Sequence, residues 1–170
     1  MFKIMKQTVA GIALLAMTSL SQAESEVSYS ANLGFMSDYM YRGIHQSSSS
    51  AMGGFDIEYG SFYVGTWFAD LQEGGWEAPK DDSHRGFEYD VYAGFGFDLT
   101  DSISASVGYT IYRYTDKGAS AFDDDYDEVN VGVSFALTDD LSLSLDYSNG
   151  ENTLTDQSEV DYDILTTTIE

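Results

Sequence analysis

The residues of this chain that can do chemistry are mostly carboxylates. There are 29 among 170 residues, against seven lysines and arginines and two histidines. Asp38 and Arg42 stand four apart, and on a strand that spacing puts both side chains on one face. They read as a charge pair lining a constriction or, more simply, as a structural ion pair under the first loop. Asp123, Asp124 and Asp125 run into Tyr126, Asp127 and Glu128. The three aspartates offer oxygen ligands to Ca²⁺, but the run has neither the spacing nor the central glycine of an EF-hand loop. They are weak metal candidates, and a solvated acidic loop is expected. Ser83 and His84 are adjacent, His45 lies near the first loop, and serines fill positions 47–50. A catalytic triad is recognised by geometry, and nothing in these spacings positions a base on a serine. The expectation is therefore no enzyme and no cofactor. The remaining acids of interest, Glu88, Asp90, Asp98, Glu128 and Asp146, sit within runs that alternate polar and apolar residues.

That alternation identifies the elements that must carry them. Over 87–99 the odd positions Phe87, Tyr89, Val91, Ala93, Phe95, Phe97 and Leu99 are all apolar, and the even positions are acids, glycines and one tyrosine. Positions 103–112, 27–36, 128–137 and 141–147 repeat the pattern, and its first phase can be continued through Tyr39 and Tyr41. A period of two indicates β-strands with two unlike faces. Around 55–59 and 62–68 strands are also expected, although in the second either Tyr63 and Trp67 or Phe62 and Phe68 could face outward. A last strand begins near Asp161. Positions 90–109 can be laid on 128–147 with a shift of 38, so one strand–turn–strand unit is used twice. Short connections at 60–61, 100–102 and 138–140 alternate with longer ones at 70–85, 115–125 and 148–160, and an intermediate one at 44–50. Eight strands then place both ends of the sheet on the short-turn side.

The first 23 residues do not belong to this fold. Lys3 and Lys6 precede an apolar stretch over 8–20, and Ser21-Gln22-Ala23 forms a cleavage site. That order is a secretory signal peptide; as a membrane anchor the stretch is short of the ~20 apolar residues that span a bilayer. The mature domain, 24–170, would hold five basic and 29 acidic residues, a formal −24. Such a surface repels nucleic acid and favours cations. With no cysteine the exported chain has no disulfide.

Apolar-out, polar-in alternation, aromatics near strand ends and export together predict an antiparallel up-and-down transmembrane β-barrel. A secreted soluble β domain is the alternative, because soluble sandwich strands alternate too. The run from Ser37 through Asp38, Tyr39, Arg42, Gly43 and Gln46 to Ser47 resembles a signature of the TorF-family porins. Phe62, Tyr63, Val64, Gly65, Thr66 and Trp67 resemble a second segment of that family, and Tyr89–Gly94 and Tyr126–Val129 fit later ones. The resemblance implies a Gram-negative outer-membrane location and a pore role. It also implies a longer chain with a terminal aromatic, so a C-terminal truncation after Ile169-Glu170 is expected. The expected activity is passive diffusion of small solutes or cations along a lumen lined by Asp38, Arg42, Glu88, Asp90, Asp98, Glu128 and Asp146, with lipid as the surrounding partner and the oligomeric state left open. The alternative function is a closed structural or adhesive barrel whose acidic loops bind a partner. Small residues at Gly94, Gly96, Gly108, Gly132, Ser104 and Ser106 suggest space inside.

Overall fold

The computed structural model describes residues 27–72, 85–115, 125–152 and 160–170. They form eight strands: β1 (Val27–Tyr41), β2 (Ile44–Tyr59), β3 (Phe62–Gln72), β4 (Arg85–Thr100), β5 (Ile103–Tyr114), β6 (Tyr126–Thr138), β7 (Leu141–Asn152) and β8 (Val160–Ile169). All lie in one sheet in chain order, and every neighbouring pair is antiparallel. The result is an up-and-down half-barrel with β1 and β8 at its edges. Residues 60–61, 101–102 and 139–140 turn the chain at one end, and the outer ends of β1 and β8 fall there too. The 1–23 segment, Ser83, His84, Asp123 and Asp124 lie outside the described residues.

The period-two pattern becomes two faces of opposite chemistry. Phe87, Tyr89, Val91, Phe95, Phe97 and Leu99 on β4 are exposed, as are Val129, Val131 and Leu137 on β6. The intervening Glu88, Asp90 and Glu128 are buried on the concave face. Burial is thus inverted relative to a water-soluble sheet, where the apolar face packs inward. In β3 the even positions face out: Phe62 and Phe68 are exposed, and Trp67 packs edge-on against buried Tyr39, 5.5 Å between ring centres.

The internal repeat is a repeat of structure. Register shifts between Asp98 and Thr100 on β4 and between Ala136 and Thr138 on β6, in each case just before the turn. Thr100 Oγ1 accepts from the Ser102 amide at 3.2 Å, and Thr138 Oγ1 from the Asp140 amide at 3.3 Å. A threonine that bonds the backbone two residues on stabilises a tight turn, and the paired bulges tighten the local twist.

Three expectations are corrected. Positions 44–50 are not a connection but the first half of β2. Chain reversal takes only Arg42 and Gly43, with φ of 51° and 81°, as in a two-residue hairpin turn that needs positive φ at both positions. Strands β3 and β7 run on through Asp70–Gln72 and Ser148–Asn152. Finally, Tyr39 and Tyr41 do not continue the outward phase of Val27 to Phe35: they are 2% and 7% exposed and lie in the interior. The alternation breaks between the pairs Met36–Ser50 and Asp38–Ser48, where Ser49 takes φ 71° with the register kept, and the register shifts once, at Tyr39/Met40. One irregular step in a period-two pattern moves the following side chains to the other face.

At three of the small inward positions a neighbouring side chain occupies the space. Directly across the ladder, Gly94 faces Tyr63, Gly65 faces Tyr92, and Gly150 faces Tyr162. A Cβ at Gly94 or Gly108 would collide with the Tyr63 ring or hydroxyl, and one at Gly132 with Asp146. These glycines seat neighbouring side chains across the strands. Gly43 differs, because a Cβ there would meet nothing within 4 Å. Gly43→Ala should therefore lose only the backbone term, about 1–2 kcal/mol for a left-handed non-glycine residue, read as a lower urea midpoint. An unchanged midpoint would mean that the turn does not require positive φ.

Candidate functional site

The loop end of the concave face is organised by one carboxylate. Glu128, on β6, has a fully buried side chain. Both guanidinium nitrogens of Arg42 bond it: Nη1 meets Oε1, and Nη2 meets Oε2 at 3.0 Å. The Tyr162 hydroxyl donates to Oε1 at 2.5 Å, Tyr112 to Oε2 at 3.1 Å, and Asn130 Nδ2 to Oε2 at 3.3 Å. Burying a carboxylate is costly unless it is paired and hydrogen-bonded, and Glu128 is both. The bonds join the β1–β2 turn, β5, β6 and β8, which are not all neighbours in the sheet. They hold the curvature of the half-barrel at this end.

Aromatic rings fill the space around this pair. Tyr112 stacks on Tyr126 at 4.3 Å and 12°, and Tyr41 shares a 3.0 Å hydroxyl contact with Tyr112. The Arg42 guanidinium lies 4.8 Å from the centre of the Tyr41 ring and 5.9 Å from that of Tyr162. Arginine is thus held as a cation in an aromatic and carboxylate setting. Next along β4 come Glu88, 1% exposed, and Asp90, 7% exposed. Tyr114 donates to Glu88 Oε1 at 3.3 Å, while Glu88 Oε2 and Asp90 Oδ1 have no hydrogen-bond partner.

Residues 20–169 match the model of a family described as a bacterial protein of unknown function (Gcw_chp). The chain belongs to that family. No curated protein and no solved structure matches it.

In this Gcw_chp chain the predicted site residues divide into three groups. Arg42, Glu88, Asp90 and Glu128 gather at the loop end of the interior. Asp146 also lies on the concave face, over Gly132, farther from the loops. Asp98 has the inward phase but is exposed beside a turn. Asp38 does not pair with Arg42. The phase break before it leaves its side chain 63% exposed, 3.7 Å from His45 Nε2, while Arg42 swings inward from the turn. Ser48 Oγ lies 3.3 Å from that same nitrogen. A triad needs the acid on one imidazole nitrogen and the serine on the other, so the trio lacks that geometry. Asp125 accepts from the Tyr114 amide at 2.9 Å and lies 3.9 Å from Arg113. Among the described residues no three acidic, histidine or cysteine side chains converge as metal ligands.

The residues that sequence reasoning missed are tyrosines. Tyr112, Tyr114, Tyr126 and Tyr162 line the interior beside the acids. Tyr126 shares the phase of Glu128, and Tyr112 and Tyr114 share the phase of Thr110. Aromatics on the polar phase were the available signal.

Arg42→Ala would leave a buried carboxylate without its cation. Removing one partner of such a pair costs about 3–5 kcal/mol, so this variant should have a much lower urea midpoint, with Arg42→Lys intermediate because lysine cannot make both bonds. Equal stability of all three proteins would show that Glu128 does not depend on the arginine.

Proposed function

We propose that this protein is an outer-membrane β-barrel that passes small solutes or cations by passive diffusion. The observation that carries the reading is the inverted burial of consecutive residues. Val91 and Val131 are each 44% exposed, while Glu88 and Glu128, on the opposite phase, are 1% and 0% exposed. Water would select against such an apolar exterior, and lipid would select for it. On β4 the outward residues from Tyr89 to Leu99 extend about 33 Å along the strand. At the usual barrel tilt that is a band roughly 25 Å tall. At the loop end of that span polar groups join the outer face: Arg113, paired across the ladder with Tyr89, bonds Asp127 at 2.8 Å, and the Tyr109 and Tyr147 hydroxyls bond Asp127 and Asp163. The signal-peptide pattern read in residues 1–23 and the resemblance to the TorF-family porins support this reading. In lipid the backbone edges of β1 and β8 must also be hydrogen-bonded to strands.

A closed structural or adhesive barrel is the second reading. It is favoured by the side chains that occupy the loop end of the interior, since small barrels are commonly filled by their own residues.

Charge placement tests the membrane reading. Val131→Arg should impair folding into lipid by about 2–4 kcal/mol if the residue lies near the midplane. Ser104→Asn, on the inner face, should cost much less. Heat-modifiable gel mobility after refolding in lipid measures both, and equal tolerance would overturn the membrane barrel. Conductance tests the pore. Rings of carboxylates draw cations, so the reversal potential in a KCl gradient should show cation preference, stronger at low salt. The preference should weaken in Asp90→Asn. Anion preference would refute the charged lumen, and a folded barrel without conductance would leave the structural reading.

A further inference from the structure

The inner cluster holds three acidic side chains and one basic one. Glu88, Asp90 and Glu128 are all buried, and Arg42 is engaged with Glu128. Arg113 lies on the outer face with Asp127 and Asp125. Among the described residues no ion pair reaches Glu88 or Asp90, and each has a buried carboxylate oxygen without a donor. Buried carboxylates are ordinarily paired or hydrogen-bonded. Two orphaned oxygens on one face of one strand therefore point to a cation from beyond the described residues.

We infer that Glu88 and Asp90 bind a small organic cation carrying a primary ammonium group. Their positions two residues apart place the Cα atoms about 6.6 Å apart. One ammonium donating a bond of roughly 2.8 Å to each carboxylate spans oxygens up to about 5.6 Å apart. Ca²⁺ needs six to eight oxygens, and the described side chains offer no group of three metal-ligating residues. The flanking residues suit an organic cation. Asp90 is paired across the ladder with Trp67 on one side and Tyr112 on the other, and Glu88 with Tyr114. Such rings attract ammonium groups through their faces. The same cluster already holds one organic cation in this way, the Arg42 guanidinium between Glu128 and the rings of Tyr41 and Tyr162. The inference rests on the proposed pore and names its class of solute.

The test uses the full chain refolded in detergent micelles, with ethylammonium chloride as the probe and saturation-transfer NMR as the readout. Ethylammonium should bind saturably, and its affinity should fall at least tenfold in Glu88→Gln/Asp90→Asn. These near-isosteric replacements remove charge and keep shape. Asp90→Asn alone should give a smaller loss, and Asp98→Asn, at the exposed turn end, should change nothing. Tetramethylammonium, which cannot donate hydrogen bonds, should compete poorly, as should sodium. The inference is overturned by absent binding, by binding unchanged in the double variant, or by sodium competing as well as ethylammonium, which would mark an inorganic cation site. Bilayer conductance of the same preparation separates the two proposals. A chain that conducts without binding ethylammonium overturns this inference and leaves the pore; one that binds without conducting overturns the pore and leaves the site.

Discussion

A carboxylate hidden from water has to be answered by the rest of the structure. Glu128 collects two bonds from Arg42 and one each from Tyr112, Tyr162 and Asn130. Each donor comes with a constraint. Arg42 can reach inward because it occupies the β1–β2 turn with positive φ. Tyr162 requires β8 to curl toward β6 across the concave face. Asn130 is itself fixed by Thr110, at 2.8 Å, and by Ser148, at 3.0 Å. An open sheet of eight strands has many possible curvatures, and this network selects one at the loop end. The tyrosine stack then packs around the pair, excluding water and strengthening its electrostatics.

The architecture was legible in the sequence to a large degree because β-structure with two unlike faces writes a period of two. The strand cores, their order, the short turns at 60–61, 100–102 and 138–140 and the twofold use of one hairpin all follow from local signals. What failed was phase. The outward reading of Tyr39 and Tyr41 assumed unbroken alternation from Val27, and the irregular step at Ser49 reversed it. The Asp38–Arg42 pair failed for the same reason, since one member lies on a strand after the break and the other in the turn. No pattern marks such a step: Ser49 stands within a run of four serines, and nothing distinguishes it from its neighbours.

The candidate site was only half legible, for a different reason. Glu88, Asp90 and Glu128 could be placed on one face from spacing alone. Their clustering with tyrosines from β1, β5, β6 and β8 depends on curvature, which brings together residues far apart in sequence, such as Arg42 and Glu128, 86 positions apart. At Gly94 the space that small residues suggest is taken by Tyr63, which lies across the ladder. A glycine on a strand records what the neighbouring strand places over it, and the strand's own sequence does not contain that information.

The two carboxylate environments of the interior are best understood together. Glu128 is saturated by donors from its own chain, and its charge is balanced by Arg42. Glu88 and Asp90 sit beside it in the same low-polarity setting, where Tyr114 and Tyr39 bond Glu88. Had all three acids been needed only to hold strands, a second arginine or further donors would serve as they do at Glu128. Replacing the unmatched pair with apolar residues would relieve like-charge repulsion and desolvation together. That an acidic chain keeps them buried, flanked by Trp67, Tyr112 and Tyr114, is easier to reconcile with a charge they receive than with one they supply to the fold.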